Sequence, residues 1–345
     1  HDPFCKEIMI TQYRVAEHSE VINALIAAAR NGKQVTVFVE LKARFDEENN
    51  MATAELMRNA GIRILFSIPG LKVHAKVALV LRYNKNGEQI RSYAYVSTGN
   101  FNEKTAKIYS DIALYTCNKV IVEDMHTLFR FLRKEVDEPK FKRLLIARFN
   151  LLPELKRMIH HEIALVKSGR PGRIILKMNA LQDLAMIDEL YRASEAGVKI
   201  DLIVRGICCL RVGIPGVSEN ISVRSIVGNF LEHSRIFYFY NDGNPEVFMG
   251  SADWMPRNLD RRVEIVFPVI EEELKEKALH ILHVELEDNV KARVMQPDGT
   301  YEKLDKRGKV LINSQEQFCA EAKAAVPDQN PGNNQRLFIP AEPAE

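Results

Sequence analysis

The feature that most constrains this chain is an internal repeat that carries polar residues as well as apolar ones. The segment Asn31–Glu40 (NGKQVTVFVE) matches Ala196–Arg205 (AGVKIDLIVR), and Gly70–Val80 (GLKVHAKVALV) matches Asn229–Phe239 (NFLEHSRIFYF). Ser97-Thr98-Gly99-Asn100-Phe101 then matches Gly250-Ser251-Ala252-Asp253-Trp254, and Asp111-Ile112 matches Glu264-Ile265. The interval from Asn100 to Asp111 equals that from Asp253 to Glu264. Two unrelated α/β domains would share hydrophobic periodicity, which aligns strands. They would not share a His-x-basic tripeptide, an Asn/Asp and an Asp/Glu in the same order.

Each repeat alternates strand and helix periods. In the first, Ile8–Tyr13 reads as a strand, Ser19–Arg30 as a helix stopped by Gly32, with His18 at its start, and Val35–Val39 as a buried strand. Ala52–Ala60 is helical, Val73–Leu81 and Tyr93–Ser97 form a hairpin around Asn84–Gly87, and Val120–Val136 is an amphipathic helix ended by Asp-Glu-Pro. The second half gives strands at Arg173–Met178 and Lys199–Val204, a helix at Leu184–Ala196, paired strands at Ser234–Tyr240 and Val247–Met249, and a helix at Glu272–Leu286. The expected fold is α/β: two duplicated sandwich domains, 1–139 and 140–313, related by a pseudo-twofold with the active site between them. Residues 314–345, rich in proline and asparagine near the end, read as a mobile tail or a docking arm.

With 345 residues, 46% hydrophobic and 27% charged, the chain is globular in composition, and no apolar run is long enough to span a membrane. Forty-eight basic against 46 acidic residues give +2, which excludes binding nucleic acid through bulk charge; a polyanion needs a focused cluster. Five cysteines without CxxC spacing point to a reducing, cytoplasmic setting with no disulfide framework and no zinc site. The chain starts at His1 close to an apolar run and reads as a piece of a longer protein.

On a strand, residues i and i+2 share a face, so His74 with Lys76 and His233 with Arg235 project in pairs. A pseudo-twofold brings two histidines and two cations to one cleft. A neutral imidazole is a competent nucleophile toward phosphorus, and adjacent cations neutralise phosphoryl oxygens. Asp111 and Glu264 can each accept an imidazole N–H and fix its tautomer. His74 is expected neutral, to attack, and His233 protonated, to assist the leaving group. His126, His160, His161, His280 and His283 read as surface or packing residues. Arg14 and Arg205 end strands and Arg44 sits in the turn after Val35–Val39, beyond strand carboxyl ends where ligands of open α/β sheets gather. Arginine's planar fork suits phosphate. Position 205 is Arg where its counterpart, position 40, is Glu. Tyr109 either stacks on a base, bonds a phosphate or packs as a plain strand tyrosine.

The segments VELKARFDEENN (39–50), GLKVHAKVALV (70–80), STGNFNEKTAKIYSD (97–111), LIVRGICCL (202–210), SIVGNFLEHSRI (225–236) and SADWMPRNLDRRVE (251–264) resemble the type-1 polyphosphate kinase family. The resemblance covers roughly residues 5 to 312. It implies the carboxy-terminal half of such an enzyme, two phospholipase-D-like domains without the family's upstream ones. It further implies reversible transfer of the ATP terminal phosphate to inorganic polyphosphate through a phosphohistidine at His74, with His233 as the second active-site histidine. Tyr109, Arg205 and His233 match nucleotide contacts, and Glu264 matches a further active-site carboxylate. Lys76 and Arg235 are expected on phosphate. Arg14 and Arg44 match the magnesium–phosphate site, through phosphate or water because a guanidinium has no lone pair to give. ATP or ADP and Mg²⁺ are thus the implied substrate and cofactor. A homo-oligomer, cytoplasmic or peripheral at a membrane, is implied as well. The Asp that usually follows His-x-Lys in phospholipase D is replaced in the Val80-Leu81 neighbourhood, which favours a kinase over the alternative of a phosphodiesterase or nuclease. A polyphosphate-binding module inactive without upstream domains is the other alternative.

Overall fold

A computed structural model describes residues 1–16, 19–40, 47–66 and 70–325 of the chain, with the side chains of 47–49 excepted. His18 and Arg44 lie outside these described residues.

Two mixed sheets form the frame, and their central six strands run in the same order. The first sheet is ordered Arg63–Phe66, Gln34–Val39, Cys5–Gln12, Lys76–Arg82, Tyr93–Ser97, Ala113–Thr116. The second is ordered Ile221–Ile226, Lys199–Val204, Arg173–Met178, Arg235–Phe239, Glu246–Gly250, Ile265–Pro268. In each, the first three strands are parallel and the rest antiparallel. The register also repeats: Lys76 pairs with Ser97 as Arg235 pairs with Gly250. The second sheet is extended by Ala292–Met295 and Tyr301–Lys303 at one edge and by Leu145–Ile146 at the other.

The period-2 alternation of the strands feeds two kinds of core. Val35, Val37 and Val39 point outward, where they pack with Ile22, Leu25 and Met57 of the helices Glu20–Arg30 and Glu47–Asn59. Ile174, Leu176 and Met178 do the same against Leu155 and Met158 of Leu151–Lys167 and Leu190 of Leu184–Glu195. The inner faces of both sheets share one core. Phe38, Val77 and Leu79 from the first and Ile175, Ile236 and Met249 from the second close around the helices Lys119–Leu132 and Glu272–Glu287. The molecule is therefore layered helix, sheet, helix, sheet, helix.

Three sequence expectations are adjusted. The helix expected over 120–136 starts under an Asn118 cap, whose Oδ1 accepts from Val120 and Ile121 N–H, and stops at Leu132; Lys134 then takes a left-handed conformation (φ 61°) that ends it. The strand expected over 73–81 is two strands, Lys72–Val73 and Lys76–Arg82, with His74 and Ala75 in the break. Ser314–Ala325, expected within the tail, is a helix that packs on Glu272–Glu287, with Glu321 bonded to His280 (3.0 Å). Residues 326–345 lie outside the described residues.

Candidate active site

The two breaks ahead of the basic residues create the site. Lys72–Val73 leaves its own sheet and pairs in parallel with Arg262–Val263 of the other half, Lys72 opposite Arg262. Leu231–Glu232 pairs in parallel with Tyr109–Ser110, Leu231 opposite Tyr109. These pairings are reciprocal: in each, a residue two before a histidine faces a residue two before a carboxylate. His74 and Glu264, and likewise His233 and Asp111, are thereby brought together across the lobes.

The His74 Nδ1 is 2.8 Å from Glu264 Oε2, and the His233 Nδ1 is 2.7 Å from Asp111 Oδ1. A carboxylate only accepts, so each Nδ1 carries the proton and each Nε2 holds a lone pair. The carboxylates are fixed by equivalent bonds. Ser251 Oγ donates to Glu264 Oε2 at 2.5 Å and accepts from Ile265 N–H at 3.1 Å. Thr98 Oγ1 donates to Asp111 Oδ1 at 2.7 Å and accepts from Ile112 N–H at 3.0 Å. Asn258 adds a bond of 2.6 Å to Glu264 Oε1. Burial alone would raise the Glu264 carboxyl; the His74 ring, Lys76 and the Ser251 hydroxyl outweigh it and hold the group at about 2. Asp111 is likewise lowered against its burial, by His233, Thr98 and Arg235.

Both imidazoles are driven toward the neutral form. Burial lowers His74 to about 3 with help from Lys76, against the pull of Glu264. Burial and Arg235 lower His233 to about 4 against Asp111. The expectation of a protonated His233 is thus corrected for the ligand-free protein, because burial and a neighbouring guanidinium win over one carboxylate.

The basic partners differ between halves. Lys76 is buried, its Nζ donates to the His74 carbonyl, and burial with Arg235 from the other lobe depresses its pKa against Glu264. Arg235 forks onto Asp253 (3.3 and 3.0 Å), and its Nη1 lies 2.6 Å from the His233 carbonyl and 3.2 Å from His233 Nε2. So the His233 lone pair meets a guanidinium, while among the described residues His74 Nε2 has no hydrogen-bond partner. Tyr109 stacks obliquely on His233, centroids 5.0 Å apart. Arg205 Nε donates to Asn179 Oδ1 (2.9 Å), and its counterpart Glu40 is buried and accepts from Val73 N–H (2.9 Å). Arg14 lies over the Tyr13 ring at 5.9 Å.

Sequence reasoning missed Tyr13. Its ring meets His74 edge-on at 4.9 Å, with Lys72 and Lys76 ammonium groups 5.1 and 5.2 Å from its centroid. Its register counterpart is Asn179, so the repeat gave no signal. Thr98 and Ser251 stand at matched repeat positions and could have been found there. Among the described residues no group of three or more His, Cys, Asp or Glu could hold a metal ion. Asp111 and Glu264 are committed to the histidines, and Arg14 offers no lone pair. The described residues therefore do not fit a protein-held Mg²⁺.

Residues 1–138 match the family described as polyphosphate kinase C-terminal domain 1, and residues 144–315 match polyphosphate kinase C-terminal domain 2. The chain belongs to the polyphosphate kinase family. A polyphosphate kinase of Lactiplantibacillus plantarum is 45% identical over 337 residues, 96% of this chain and 47% of that protein. One of Thermosynechococcus vestitus is 49% identical over 87% of this chain and 41% of its own length. The crystal structure of polyphosphate kinase from Porphyromonas gingivalis superposes with a TM-score of 0.87 at 49% identity, over 94% of this chain and 49% of that one. The chain thus spans about half the length of the polyphosphate kinases it matches. A phosphatidylserine synthase of Haemophilus influenzae, 9% identical with a TM-score of 0.57 over 93% of this chain, shares the fold alone. The duplicated α/β architecture expected from the sequence is the one found. Among the described residues no helix is long and apolar enough to cross a membrane.

Proposed function

We propose that this chain is the catalytic region of a polyphosphate kinase, transferring the terminal phosphoryl group of ATP reversibly to inorganic polyphosphate through a phosphohistidine on His74. The observation that carries the reading is the His74–Glu264 pair. Its Nδ1–H is committed to a buried carboxylate, and its Nε2 lone pair is open beside Lys76. A neutral ring is the form that attacks phosphorus, and it attacks in line while cations hold the equatorial oxygens.

Residues 1–139 carry the nucleophile, and residues 140–313 supply nucleotide and phosphate contacts. Nε2 of His74 bonds the γ-phosphorus as the β–γ bridging bond breaks, and ADP leaves. Lys76, Arg235 and Arg205 neutralise phosphate charge, Tyr109 and His233 contact the nucleotide, and Arg14 with Arg44 meets phosphate. Approaching phosphates raise the affinity of His233 for a proton, so the donor role belongs to the substrate complex. Attack of a polyphosphate end on the phosphohistidine restores His74. Magnesium enters as Mg·ATP, held by phosphate oxygens, part of the substrate. A homo-oligomer in the cytoplasm, at most peripheral to a membrane, goes with this reading.

The test is incubation with γ-labelled ATP. An acid-labile, alkali-stable protein label that disappears in His74→Ala is expected. Wild-type labelling of His74→Ala would refute the nucleophile. Cleavage of a phosphodiester without nucleotide would favour the phospholipase-like alternative.

A further inference from the structure

Behind His233 lies a buried ionic cluster that the chemistry above does not use. Lys177 Nζ donates to Glu232 Oε2 (2.5 Å), Glu285 Oε1 (2.9 Å) and Ser234 Oγ (2.9 Å), and Lys177, Glu232 and Glu285 are each at most 5% exposed. Burial raises Glu285 to about 8, against Lys177, while Glu232 is held at about 2 against its burial by Lys177, Gln315 and Ser110. Burial thus pushes Glu285 toward its neutral form while Glu232 remains the carboxylate paired with Lys177.

Its connections converge on the His233–Asp111 pair. Glu232 precedes His233, and Ser110 precedes Asp111. Ser110 Oγ donates to Glu232 Oε2 at 2.9 Å, so one carboxylate ties together the two backbone segments that carry the pair. From the Ser314–Ala325 helix, Gln315 Nε2 donates to Glu232 Oε1 (2.7 Å) and the Phe230 carbonyl (2.8 Å), and its Oε1 accepts from Phe230 N–H (3.0 Å). Gly228 leaves room for this amide: a Cβ there would stand 2.3 Å from Gln315 Oε1.

The twin lobe is the control. Register and spacing place Thr11, Val73, Ala75 and Leu132 where the second lobe has Lys177, Glu232, Ser234 and Glu285. The same architecture thus closes without charges. Buried ion pairs are rarely more stable than apolar packing of similar volume, so stability does not account for this cluster.

We propose that Glu232, held by Lys177 and Gln315, is a positioning residue that keeps His233 aligned on Asp111 in its Nδ1–H tautomer, with the Ser314–Ala325 helix as part of the support. The alignment stands on the geometry alone; its effect on phosphoryl transfer rests on the function proposed above.

The test transplants the first lobe's solution: Lys177→Thr, Glu232→Val and Glu285→Leu together. Thermal stability is expected to hold or rise. With selectively labelled histidine, the ring ¹⁵N shifts of His233, assigned by their loss in His233→Asn, should change from the pure Nδ1–H pattern to a tautomer mixture. The rate of His74 labelling at saturating ATP should fall about tenfold or more, the scale of a small misplacement of a reacting group, with the apparent KM for ATP little changed. Gln315→Ala should give the same two changes in weaker form, and it decides the matter if the triple variant does not fold. An unaltered His233 tautomer in a folded variant overturns the proposal whether or not the chain is a kinase. An altered tautomer with no labelling even in wild type would instead count against the kinase reading.

Discussion

Two part-buried neutral histidines make the stability of this protein depend on pH in a calculable way. His74 and His233 sit at about 3 and about 4, against about 6.5 for a free imidazole. Between these limits the unfolded chain binds a proton at each ring and the folded protein does not, so the stability these two rings contribute is full above about pH 6.5 and is lost as pH falls, while the raised Glu285 works in the opposite sense over the same range. Each ring contributes a slope of up to about 1.4 kcal/mol per pH unit, roughly 2–3 kcal/mol over the two units from pH 6.5 to 4.5, and about 5 kcal/mol for the pair. The perturbation is His74→Gln, and the assay is urea unfolding at several pH values across that window. The wild-type decline from about pH 6.5 to 4.5 should shrink by roughly 2–3 kcal/mol, the contribution of one ring. Without the imidazole, burial should lift Glu264 and let the folded state take up a proton, flattening the curve further. A variant whose stability falls as steeply as wild type would refute the claim that His74 is held neutral.

Gly99→Ala would place a Cβ 2.3 Å from Asp111 Oδ2 and 2.7 Å from Asp111 Cβ, which moves only with its backbone, so Asp111 should be displaced from His233 with a fall in thermal stability, and labelling should slow about 10²-fold by single-turnover kinetics. Arg205→Ala should weaken polyphosphate binding and reduce the dependence of log affinity on log salt by about one ion, by analogy with counterion release from nucleic acid. Titration calorimetry at three salt concentrations checks this.

The sequence was most legible where the repeat put chemistry at matched positions: His74 and His233, Lys76 and Arg235, Asp111 and Glu264 were all found because chance periodicity does not duplicate them. The cross-lobe partnership of each histidine was not legible in detail, because it depends on the register of Tyr109–Ser110 against Leu231–Glu232, a contact between segments far apart in the chain. The break at His74-Ala75 was hidden because Val73 through Leu81 is almost continuously apolar and reads as one strand. The neutral state of His233 in the ligand-free protein was not legible because sequence names its neighbours without their burial. Lys177 looked like any strand lysine, since only the folded chain brings Glu232 and Glu285 to it.

The reciprocal exchange of carboxylates has a consequence for dissection of the chain. A cut in the Asp137–Lys140 stretch would leave His74 in one fragment and Glu264 in the other, and Asp111 and His233 parted in the opposite sense. Neither fragment would own a complete histidine–carboxylate pair, so the two pairs would re-form only on reassembly of the halves. The same arithmetic describes a single ancestral lobe: as a twofold dimer, each copy would lend its acid to the other's histidine, and fusion of two such copies would make that loan permanent.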